Sequence, residues 1–238
     1  MTLLSMVEAA ADEIGTGNRP TSVIANTAPD VQKYLRLLHK VGNRLRVVFA
    51  WQALTEERTF TATSGELQTS ALPTDFDRFV KETFWDRTNV NLVSGPVGAT
   101  EWQGMKATNY GDTANRKVRH RGNALHILPA MSGGESMAFE YVSKNWIDTN
   151  QDGVGDTSVF EADDDTTLLD EELLTLGLIF EFLETEGLPA NKAAVEYEQR
   201  FNQLVRNDQP NAKVLVAGDI FGGGRHFSGA PTVSGTTI

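Results

Sequence analysis

The chain has no cysteine. Disulfides, thiol nucleophiles and cysteine-ligated zinc are therefore excluded together. It also has no apolar run of about eighteen residues, the length a membrane-spanning helix needs. The opening MTLLSMVEAAADEIG lacks a basic start followed by a long apolar block, so no secretory leader is expected there. Cations are scarce: 21 Lys and Arg stand against 32 Asp and Glu, a formal net charge of −11. A protein that grips DNA needs clustered cations to neutralise phosphates. The one basic cluster, Arg116 to Arg121, carries four fixed positive charges in alternation and reads as a half-exposed strand. Serine, histidine and aspartate are present, but none stands in a nucleophile motif such as G-x-S-x-G. No enzyme activity is expected.

What is present is enough apolar material for a globular fold. Hydrophobic residues make up 40% and charged residues 22% of the 238, and a chain of this length can bury one large core or two small ones. Apolar spacing near 3.6 predicts helices over 2–14 (Leu3, Val7, Ala10, Ile14) and from Thr27 to about Leu45 (Val31, Leu35, Leu38, Val41). From Val47 the pattern turns to β-branched and aromatic residues. Strands are expected at Val47–Trp51, Arg58–Thr63, Val118–Arg121, Ala124–Leu128, Ser136–Val142 and Thr157–Phe160. Thr167 to Asp170 resembles a capping box and opens a helix with Leu173, Leu176, Phe180 and Leu183 inward. After Leu188-Pro189 a last helix spans roughly 190–207, with Ala194, Tyr197, Phe201 and Leu204 inward. The fold class expected is α+β. Helices of 1–46 and 167–209 form a bundle, an antiparallel β-rich domain over 47–166 is inserted between them, and 210–238 is a flexible C-terminal tail.

Three local motifs invite chemistry. Asp148 to Asp156 matches the first, third, fifth, sixth and ninth positions of a calcium-binding loop, so Asp148, Asn150, Asp152 and Asp156 are candidate calcium ligands. Val159 stands where a bidentate Glu belongs, so weak binding or a plain acidic turn are both open. No other cofactor is expected. Asp163-Asp164-Asp165 reads as a solvated loop. Gly222 to Gly224 after Ile220-Phe221 looks like a phosphate loop but lacks the Lys-Ser/Thr pair, and reads as linker.

The stretch from Leu72 to Lys106 organises the rest. It predicts a short helix over Asp75–Trp85, a turn at Gly95-Pro96 and a further helix around Trp102, with its aromatics as core. Together with Phe49-Ala50-Trp51-Gln52-Ala53-Leu54, the runs Leu72-Pro73-Thr74-Asp75-Phe76, Phe84-Trp85-Asp86-Arg87, Gly95-Pro96 and Glu101-Trp102 resemble tailed-bacteriophage neck proteins, in particular podophage head–tail adaptors of the tail tubular protein A kind. The likeness spans about residues 1 to 215. It implies a structural virion protein at the head–tail neck, made in the host bacterial cytoplasm. It further implies a dodecameric ring of identical subunits between a portal protein and a tail nozzle, with genomic DNA passing through the lumen without specific binding. A C-terminal segment would dock into the portal, and Lys213, Val214, Leu215, Val216, Ile220, Phe221 and Phe227 are the candidate contacts. Two alternatives stand beside it: another connector, stopper or tail terminator, and a calcium-stabilised β-rich module that binds a surface ligand.

Overall fold

The structure is a computed structural model that describes residues 1–15 and 19–208. It is a mixed α+β fold with antiparallel sheets. Helices α1 (Leu3–Ile14) and α2 (Pro29–Val48) come first, then a 3-10 turn at Gln52–Leu54. Strands β1 (Thr55–Thr61), β2 (Gly65–Gln68), β3 (Phe76–Phe79), β4 (Trp85–Asp86) and β5 (Asn91–Leu92) lead to helix α3 (Ala99–Ala107). Strands β6 (Lys117–Arg121), β7 (Ala124–Met131), β8 (Ser136–Ser143), β9 (Ile147–Asp148) and β10 (Thr166–Thr167) precede α4 (Glu171–Glu186) and α5 (Asn191–Asp208). Among the described residues no helix is long and apolar enough to cross a membrane.

Helix α4 is the hub, packing on α1, α2 and α5. That explains why one inward stripe was too narrow an expectation for it. Leu173, Leu174, Gly177, Leu178, Ile179 and Phe182 are all buried, on more than one side of the helix. Asp170 is its N-cap and accepts from the Leu173 N–H at 2.8 Å, whereas Thr167 lies in β10 and bonds the Leu169 carbonyl. The expected capping box therefore resolves into a plain Asp cap. Helix α5 sits at the edge: Ala193 is buried, while Tyr197, Phe201 and Leu204 are half-covered. Between α2 and α4, Lys40 and Arg44 reach the buried Glu181 carboxylate at 2.5 and 2.7 Å. Burial works to raise the Glu181 pKa, and the two cations outweigh it and leave it below its ordinary value.

The strands form a five-stranded sheet, in which β8 pairs with β1 on one side and with β3 and β4 on the other, and a three-stranded sheet β2-β7-β6. Phe84, Val118, Leu125, Ile127, Met137 and Phe139 fill a second core between them, separate from the helical one. Val142 and Phe160, expected in strands, bury instead in the helical core, together with Trp146 and Ile147 between them.

Several local expectations are corrected. Asp75–Trp85 is not a helix. A bulge in β3 sets Phe76 opposite Ser143 and Phe79 opposite Tyr141, so residues three apart share one strand face and imitate helical spacing. Glu82, at φ +63°, then turns the chain into β4. Trp85 is 42% exposed rather than core. Val47-Val48 end helix α2 instead of starting a strand, and Thr157–Phe160 contributes a single bridge, Thr157 to Ile147.

Candidate functional site

The segment from Asp148 to Asp165 is rich in carboxylates. Its carboxylates serve the backbone. Asp148, 4% exposed, accepts from the N–H groups of Gln151, Asp152 and Gly153 at 2.6–3.3 Å. One oxygen of Asp156 accepts from Thr149 N–H, the Thr149 hydroxyl and the Asn150 amide at 2.8–3.1 Å. The Thr149 bonds lead the causes that hold its carboxyl below the ordinary range. Asp152 accepts from Val154 N–H. Asp163 receives the N–H groups of Val23 and Ile24 at 2.9 and 2.8 Å, and Asp165, 2% exposed, receives those of Glu161 and Ala162. The solvated acidic loop expected at 163–165 is corrected: two of its three aspartates are internal fasteners. Carbonyls of Asp163 and Asp165 also accept from Leu4 and Leu3, the free donors that open α1.

The same bonds describe the four candidate calcium ligands. Asp148, Asn150, Asp152 and Asp156 share one loop, but their polar atoms point at the loop's own N–H groups and at each other. Among the described residues no group of three or more His, Asp or Glu could hold a metal ion. The Val159 side chain, at the position of the missing Glu, is 53% exposed. Asp148→Ala is expected to cost about 2–3 kcal/mol, because three N–H groups lose their acceptor. Melting with calcium and with chelator checks this, and the loss should be equal in both.

The loop is fastened to α2 through His39. The Phe160 N–H donates to His39 Nε2 at 3.1 Å, and the two rings stack at 5.4 Å. Nε2 is thus an acceptor and the imidazole neutral, and burial holds its pKa below the ordinary 6.5. A histidine depressed in the folded state contributes stability above its unfolded value, and that contribution drains away as pH falls below about 6.5. Urea midpoints should drop between pH 7.5 and 5.5, and His39→Gln should flatten that drop.

No protein-family model matches the chain, and no curated protein sequence is similar to it. The geometry must carry the functional reading.

Elsewhere, polar side chains again act as internal ties. His126 pairs with Glu66 at 3.0 Å, beside Lys106 at 2.6 Å. Burial pushes the Glu66 carboxyl up, and these two partners outweigh it, for a net depression. The Tyr141 hydroxyl lies 2.8 Å from Glu56 and 2.9 Å from Asp75, and burial followed by these carboxylates raises its pKa strongly. Asp86, fully buried, accepts from Thr88 N–H and from both Asn89 nitrogens, with the buried Arg116 at 3.6 Å. Nothing in the sequence marked Asp86 or Arg116 as partners.

A groove of about 640 Å³ lies where α5 ends. Trp51, Leu168, Leu169 and Leu204 give it an apolar lining, and the Asp170–Arg200 ion pair, at 2.8 Å, lies at its rim. Asp208, the last described residue, also lines it. The portal-docking candidates Lys213, Val214, Leu215, Val216, Ile220, Phe221 and Phe227 lie outside the described residues.

Proposed function

We propose that the protein is a structural virion subunit, a head–tail adaptor that joins a portal to a tail nozzle as part of a homo-oligomeric, dodecameric ring. The supporting observation is the division of its cores. Helices from both chain ends gather on α4, while the intervening strands bury an aromatic core of their own. In this reading 1–46 and 167–209 form the body, 47–166 is the inserted β-rich unit, and 210–238 is the arm that enters the portal. The segment from Trp146 to Leu169 clamps the insert to the body. The resemblance of the 49–102 aromatic and turn pattern to podophage adaptors points the same way. An excess of acidic residues, repeated around a lumen, would let DNA slide through without sticking.

Negative-stain microscopy of the purified chain, alone and with its portal, tests the proposal. Rings seated coaxially on the portal are the expected result. Particles that stay monomeric in both preparations overturn it.

A further inference from the structure

The five-stranded sheet leaves part of one face uncovered. Its register places Thr59, Ala138, Trp85 and Leu92 in a single row across β1, β8, β4 and β5. Opposed residues in an antiparallel sheet share a face, so this row is continuous. Trp85 is 42% and Leu92 37% exposed, and Val90 in the adjoining hairpin loop is 76% exposed. Beside Trp85 is a hollow of about 230 Å³ floored by Ala138 and walled by Glu57, Glu82, Arg87 and Glu140. Three carboxylates face one guanidinium there. Arg87 is already taken by Glu57 at 2.9 Å, and Glu140 makes no ion pair among the described residues. An exposed indole next to unpaired carboxylates is a receptor for a cationic side chain, which gains both ring-face and charge attraction.

The same chain carries a matching projection. β6 and β7 are joined by the two-residue turn Gly122-Asn123, so Arg121 stands at a hairpin tip. Arg121 is exposed, and Arg119 lies on the same strand face two residues back. Neither makes an ion pair among the described residues, in a protein where acids outnumber cations. Hollow and hairpin lie on different sheets, so one copy's tip meeting another copy's hollow makes a head-to-tail contact. Contacts of that kind repeat into rings or filaments.

We infer that the Trp85 hollow receives Arg121 from the β6–β7 hairpin of a second copy, and that this is the contact between neighbouring subunits. The inference deepens the ring reading and rests on it. Glu140 and Arg121 are surface charges, so reversing either leaves the fold intact, which circular-dichroism melting confirms for each variant. Sedimentation of the full chain across a concentration series reads the outcome. Wild type should associate, and Glu140→Arg and Arg121→Glu should each weaken association by about a hundredfold through like-charge juxtaposition. Mixing the two variants should restore association, because every contact then again joins opposite charges. Trp85→Ser should weaken it by about tenfold. Association unchanged in the variants overturns this contact and leaves the ring reading standing. A wild type that stays monomeric throughout, including with portal, overturns both and leaves the hollow to a basic segment of another protein.

Discussion

Trp146→Ala should lower the free energy of unfolding by about 3–5 kcal/mol, the range for emptying a large aromatic site. The residue is 0% exposed, and its ring lies over Gly42 of α2 so closely that a Cβ built there would be 2.3 Å from it. Phe160 meets it edge-on at 5.4 Å, and its backbone bonds Thr157 and Leu168. One side chain therefore joins α2, the acidic segment and the approach to α4. Its indole Nε1 is buried without a hydrogen-bond partner among the described residues, so Trp146→Phe removes an unsatisfied donor and should cost less than half as much. Gly42→Ala should approach the alanine variant in severity from the opposite side, since the ring cannot retreat. Urea unfolding of the three variants decides the matter. A loss below about 1 kcal/mol for Trp146→Ala would mean that the acidic segment is not held through this ring.

The second large effect is expected at Asp86. Its carboxylate is fully buried, satisfies three N–H groups of the β4–β5 turn and lies against Arg116, itself 5% exposed. Asp86→Ala strips those donors and leaves the guanidinium with Glu135 alone, at 3.8 Å. Removing one partner of a buried pair costs about 3–5 kcal/mol, because the other charge stays behind. Asp86→Asn keeps one acceptor oxygen and should lose about half of that. Asp86→Ala/Arg116→Met should recover part of the loss relative to Asp86→Ala. If the double variant is no better than the single one, the guanidinium is not the source of the penalty.

The helices were legible because each repeats its apolar residues near a 3.6 period, and α1, α2, α4 and α5 stand within a few residues of expectation. The error at 75–85 has a definite origin. A bulge converts the two-residue period of a strand into a three-residue one, and single-sequence periodicity cannot tell that from a helix turn. Trp85 was expected in the core on composition, yet only the register of β4 against β8 decides which side of the sheet it faces. The aspartates at 163–165 were misread for a different reason. A carboxylate that accepts from backbone N–H has the same spelling as one that faces water, and Asp163, Asp164 and Asp165 differ only in what folds around them. Asp86 and Arg116 are far apart in sequence and were invisible until the strands brought them together.

The donors that open α1 are closed by carbonyls of Asp163 and Asp165, and Val23 and Ile24 hang on the Asp163 side chain. Helix α1 is therefore completed by a loop that leaves the ribosome long after it. Amides of Leu3, Leu4, Val23 and Ile24 should gain protection from deuterium exchange together, and only after residues 163–165 are synthesised. A nascent chain halted before Asp163 would carry an unfinished α1 with its apolar face uncovered, a natural client for a holding chaperone.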